Sequence, residues 1–109
     1  MADTFKTLGQ IDSAVTTLET LYTVPGATST VVSSIVVCNR SGTVDAIRIA
    51  VQVGGAAIDN KHYIYYDLPL PGNDTFVLTG GITLAATDVV SVYSATGNTT
   101  FSLFGMEVT

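Results

Sequence analysis

Charge, cysteine, histidine and tryptophan are all scarce in this chain, and each shortage removes a class of function. Only 12% of the 109 residues are charged, tryptophan is absent, and histidine and cysteine occur once each. A single cysteine excludes an intrachain disulfide, and Cys38, set in the apolar run Ser34-Ile35-Val36-Val37-Cys38, reads as a buried, inert thiol. The four cations Lys6, Arg40, Arg48 and Lys61 form no cluster that would neutralise several phosphates, so nucleic acid is not an expected partner. No apolar run approaches the roughly 18 residues of a membrane helix, so a membrane is not expected either. The opening Met1 to Lys6 lacks the charged and apolar regions of a secretory signal, which predicts use without export by that route.

What the chain does have is apolar residues in short bursts. Hydrophobic residues make up 47% of it and the formal net charge is −5, with the carboxylates scattered near turns as a solvated rim. The bursts are rich in Val, Ile, Thr and Tyr and are separated by Gly, Pro, Asn and Asp, which predicts many short strands. Residues 1–14 are aperiodic and read as an extended arm, leaving 15–109 as one domain. Strands follow around Leu18 to Val24, Thr30 to Asn39, Ile47 to Val53 and Lys61 to Leu68. Shorter ones lie around Phe76 to Leu78, Ile82 to Ala86 and Val89 to Tyr93, before a last run from Thr99 in which Gly105 marks a bulge. Seven to eight strands at this spacing predict an all-β, antiparallel sandwich or jelly roll.

Two strands carry further information. In Ile47 to Val53 the β-branched residues alternate with Ala46, Arg48, Ala50 and Gln52, so Ile47, Ile49, Val51 and Val53 are expected on the core side. Thr30 to Asn39 is apolar on both parities, with Val31, Ile35 and Val37 on one and Val32, Val36 and Cys38 on the other. Two dry faces predict a covering neighbour, and a chain this short buries only about two-thirds of its unfolded surface alone. A homo-oligomer is therefore expected, with Val32 and Val36 as candidate interface residues.

Catalytic and metal chemistry find no constellation. His62 lacks a nucleophile, an orienting acid or further ligands within reach and reads as a packed or hydrogen-bonded surface residue. The Asp residues do not alternate closely enough for a calcium loop. Gly54-Gly55 and Gly80-Gly81 are turn glycines, since no Lys-Ser/Thr pair follows them. The sequons at Asn39, Asn73 and Asn98 are read as turn asparagines. No enzyme, cofactor or metal is expected. The tyrosines are more suggestive: Tyr63 and Tyr65 share one face of their strand and Tyr66 the other, as core and interface residues or as a sugar-stacking platform with Tyr93. Arg40 and Arg48 are candidate polar anchors, because Arg holds carboxylates bidentately.

Four segments carry a family resemblance: Leu21-Tyr22-Thr23-Val24-Pro25-Gly26, Val31 through Gly42, Asn60 through Asp67, and Gly81 through Tyr93. Together they resemble small virion proteins of tailed bacteriophages, of the capsid decoration (cement) type, over most of the chain from about residue 16. The resemblance implies a β-sandwich or jelly-roll fold without catalytic residues. It also implies copies of itself and the major capsid protein as partners, and a place on the outer capsid surface after synthesis in the host cytoplasm. Two other readings stay open: a tail, baseplate or head-fibre component displaying loops to a receptor, and a carbohydrate-binding module using Tyr63, Tyr65 and Tyr93.

Overall fold

Every strand expected from the apolar bursts forms, and the arm adds one more. The computed structural model describes residues 3–79 and 81–109; Met1, Ala2 and Gly80 lie outside the described residues. Nine strands are present among them: β1 (Asp3–Asp12), β2 (Glu19–Thr23), β3 (Ser29–Asn39), β4 (Asp45–Gln52), β5 (Tyr63–Leu70), β6 (Thr75–Leu78), β7 (Ile82–Leu84), β8 (Val89–Ser94) and β9 (Thr99–Val108). The strand count exceeds the expected seven to eight because the presumed arm is β1. It runs antiparallel to β9 from Asp3 opposite Val108 to Asp12 opposite Thr100. The boundary expected at residues 14 and 15 therefore falls within one sandwich.

The strands form two antiparallel sheets, one ordered β1-β9-β3-β6 with β7 also on β3, the other ordered β2-β8-β4-β5. The pairing is nested. β4 pairs β5, β3 pairs β6 and β7, β2 pairs β8 and β1 pairs β9, which is a long ribbon folded at β4–β5 and rolled into two sheets. That is the jelly-roll order, closed by the β3·β9 and β4·β8 contacts. Asn39-Arg40-Ser41-Gly42 carries the chain from one sheet to the other.

The core lies between the sheets. Phe101 and Leu103 of β9, Val32, Ile35 and Val37 of β3, Ile47 and Ile49 of β4, and Val90 and Val92 of β8 are all buried. A side chain at Gly105 would meet the Val31 carbonyl oxygen at 2.2 Å, so this position needs glycine for close backbone approach. The bulge expected there sits on its neighbours instead, at Ser33 of β3 and Leu8 of β1, where the registers shift.

The Ser33 bulge has a large effect on facing. Thr30 and Val32 point inward before it, and Ile35, Val37 and Asn39 point inward after it. Two dry faces are thus replaced by one core face and one partly open outer face. Val32 is 2% exposed in the core, while Val36 and Cys38 are half-buried on the outside. Cys38 is therefore not the buried thiol expected. In β4, Ile47 and Ile49 face the core as expected and Val51 packs against it. Val53 leaves the strand in a 3-10 turn (Val53–Gly55) and is 68% exposed.

Buried polar groups join the sheets at one end. Asp45 is 2% exposed, and its carboxylate accepts hydrogen bonds from the Ser94 and Thr99 hydroxyls and from the Thr96 and Ala46 amides. Burial pushes its pKa up, yet these four donors outweigh burial and hold it below the usual carboxylate value. Asn39 is 1% exposed, donating to the Thr43 and Leu70 carbonyls and accepting from the Ser41 amide. That burial leaves no room for a glycan on this sequon.

At the other end Tyr22, buried on β2, reaches across to β9 and donates to Glu107, and Lys6 of β1 pairs with the same carboxylate at 3.0 Å. Burial, then the bond to Glu107, pushes the Tyr22 phenol up from 10.0 to about 12. The Tyr22 and Lys6 contacts hold Glu107 below its ordinary value. This cluster fastens β1 to the sandwich.

Candidate functional site

The core is filled, and the outer faces of the two sheets carry exposed large side chains, Phe5, Val31 and Val77 on one and Tyr66 on the other. On the four-stranded sheet, Arg48 stands between the buried Ile47 and Ile49 of β4 and therefore points outward, opposite Tyr93 of β8. Its guanidinium carbon lies 4.1 Å from the Tyr66 ring centroid and 4.3 Å from that of Tyr93. Its Nε donates to Asp67 Oδ1 at 2.7 Å. That bond raises the guanidinium pKa further, so the positive charge is permanent.

The sequence delivers these groups through two irregularities in β5. Opposite Ile47 and Ile49 stand Leu68 and Tyr65, and opposite the adjacent pair Ile49 and Ala50 stand Tyr65 and Tyr63. An extra residue is thus inserted twice, and Asp67 takes φ +52°, uncommon for a residue other than glycine. Strict alternation would have put Tyr63 with Tyr65. Instead Tyr65 packs against the core, edge-on to Phe76 at 5.3 Å, while Tyr63 meets Tyr66 edge-on at 5.0 Å. Asn60, Tyr63 and Tyr66 line a shallow recess beside the Arg48 cluster. Tyr66 is 58% exposed yet held on two sides.

Of the candidate interface residues, the structure brings Arg48 and Tyr63 to this face, with Tyr66 and Tyr93. Val32 and Tyr65 go inward, Val36 goes to the opposite sheet, and Arg40 stands at an end, paired with Asp12 at 2.6 Å in an exposed contact. Both candidate anchors thus hold carboxylates of their own chain. His62 is 6% exposed, and its Nδ1 accepts the Asp59 amide within a 3-10 turn (Asn60–His62), so it is buried and not at the surface. Asp67 was missed as a site residue, and Tyr66 was read within the tyrosine cluster but not as a partner of Arg48; the consecutive Tyr65-Tyr66-Asp67 was the available signal for a break in alternation.

The five-stranded sheet presents a different outer face. Phe5 of β1, Met106 of β9 and Val31 of β3 form one row across it by register, and Val36 and Val77 face each other further along. Phe5 is 81%, Val77 51% and Val31 39% exposed. Among the described residues, the strands of this sheet carry Asp3 and Asp12 towards the ends of β1, together with Lys6 and Glu107, which pair with each other.

Among the described residues no three His, Cys, Asp or Glu side chains gather as a metal site. No helix among them is long and apolar enough to cross a membrane. The chain matches no protein-family model, and no curated protein sequence matches it.

Proposed function

We propose that this chain is a non-enzymatic virion structural protein of the bacteriophage capsid decoration type, which attaches to a shell through the aromatic face of its four-stranded sheet. The observation that carries this reading is the Arg48 cluster: a cation held between Tyr66 and Tyr93 and fixed by Asp67 on an open sheet face. Tyr and Arg dominate the energetics of specific interfaces, and side chains already immobilised lose little entropy on docking. Such a protein works by contact alone, and many weak copies on a symmetric shell add up through multivalency.

The test uses purified particles. Particles lacking the protein should assemble but release DNA at lower temperature, and added protein should restore resistance saturably. Arg48→Ala and Tyr66→Ala proteins should fail to restore it. Particles that behave identically with and without the protein would end this reading.

One observation favours a second reading. The recess of Asn60, Tyr63 and Tyr66 combines aromatic rings with a carboxamide, a combination that suits a sugar ring. Binding of a neutral oligosaccharide by free protein, abolished by Tyr66→Ala, would favour receptor recognition over cementing.

A further inference from the structure

We infer that the outer face of the five-stranded sheet is the contact between two copies of this chain. The inference is independent of the shell reading, because it concerns the opposite face. Exposed apolar patches of this kind mark interaction surfaces, and three observations name a second copy as the occupant.

The first is composition. Interfaces between copies are more apolar than those between independently folded partners. Phe5, Met106, Val31, Phe104, Val36 and Val77 give this face that character, whereas the opposite face carries Arg48 and Asp67.

The second is charge. Each chain has a formal net charge of −5, so two copies repel wherever carboxylates meet. Among the described residues, Asp3 and Asp12 stand towards the ends of this sheet and Lys6 and Glu107 pair with each other within the chain at 3.0 Å, so copies can close here without burying unpaired like charges.

The third is size. β1 and β9 are ten residues long, and at ~3.3 Å per residue with strands ~4.8 Å apart the face spans roughly 600 Å² in plane. Side-chain relief brings this to about the 800 Å² per partner of a standard interface. The whole face is therefore needed, including Phe5 at one edge and Val77 near the other.

The experiment is sedimentation velocity on the full chain across a concentration series, with and without reductant. Phe5→Asp and Val77→Asp are compared with wild type, and folding of each is checked by thermal melting. We expect a wild-type dimer unaffected by reductant, which sets aside a Cys38 disulfide. Each variant should raise the dimer dissociation constant by at least about tenfold, since a carboxylate would be buried without a partner. Their melting as monomers should be little changed, because both side chains are exposed in the protomer. Phe5 and Val77 sit on different strands, so failure of one variant to fold leaves the other as the test. Arg48→Ala should dimerise normally even where it no longer protects particles. A wild-type monomer at tens of micromolar, a dimer indifferent to both Asp variants, or a dimer lost only in Arg48→Ala would each overturn the inference. So would a monomer whose particle binding is lost in Phe5→Asp, which would assign this face to the shell.

Discussion

The two outer faces of this sandwich differ in how their exposed aromatic side chains are held. Tyr66 is 58% exposed but wedged against Arg48 and Tyr63, and Asp67 fixes the arginine in turn. Phe5 is 81% exposed and positioned only by the strand that carries it. One face offers a few rigid, chemically distinct groups, and the other offers area. Specific recognition of an unlike partner suits the first arrangement, and close packing of like surfaces suits the second.

The comparison breaks most completely where the sheets are joined. Asp45→Ala leaves two hydroxyls and two amides without their acceptor, and each buried unmet donor costs about 1–3 kcal/mol. A loss of 3 kcal/mol or more in chemical denaturation is expected, with both faces lost together. Asp45→Asn should cost less. Because the native Asp45 pKa is depressed, its contribution is held above about pH 4 and drains away as pH falls through the native value, as does that of Glu107. The Asn variant should therefore show a shallower acid limb.

The next effect loosens one face only. Tyr22 ionises near 10 when unfolded and at about 12 when folded, so its contribution is intact below pH 10 and lost as pH rises through 12. Up to roughly 3 kcal/mol should disappear across that window. Hydrogen exchange should show β1 opening first, and Tyr22→Phe should remove the alkaline limb.

A smaller change isolates the aromatic face. Arg48→Lys keeps the charge but loses the planar stack, for about 1 kcal/mol in thermal melting, with particle protection falling much further. The smallest change touches neither face: Arg40→Ala removes an exposed pair with Asp12 and should shift stability by no more than about 0.5 kcal/mol.

These contrasts also explain what could be read from the chain. Alternation at Ile47 and Ile49 marked a core strand because β4 is regular there. Val32 and Val36 were paired on one side because nothing in Val31-Val32-Ser33-Ser34 distinguishes a bulge from a continuous strand, yet one inserted residue exchanges the faces. Tyr63 and Tyr65 were put on one face for the same reason, and the insertions in β5 separate them. The arm escaped because β1 is mostly exposed: its place is set by backbone pairing to β9, which leaves little hydrophobic periodicity behind. Asp45 resembled any turn carboxylate, since its four donors come from β4 itself and from distant Thr96, Ser94 and Thr99.

The nested pairing also governs when a surface becomes available. Pairs closer together in the chain close with less entropy loss, so the ribbon is expected to zip outward from β4·β5, and β1·β9 joins the two ends last. Phe5 rides on that final strand. During synthesis and folding the face it completes does not yet exist, so the self-association proposed for that face would wait for a finished protomer, and half-folded chains would lack the surface with which to find one another.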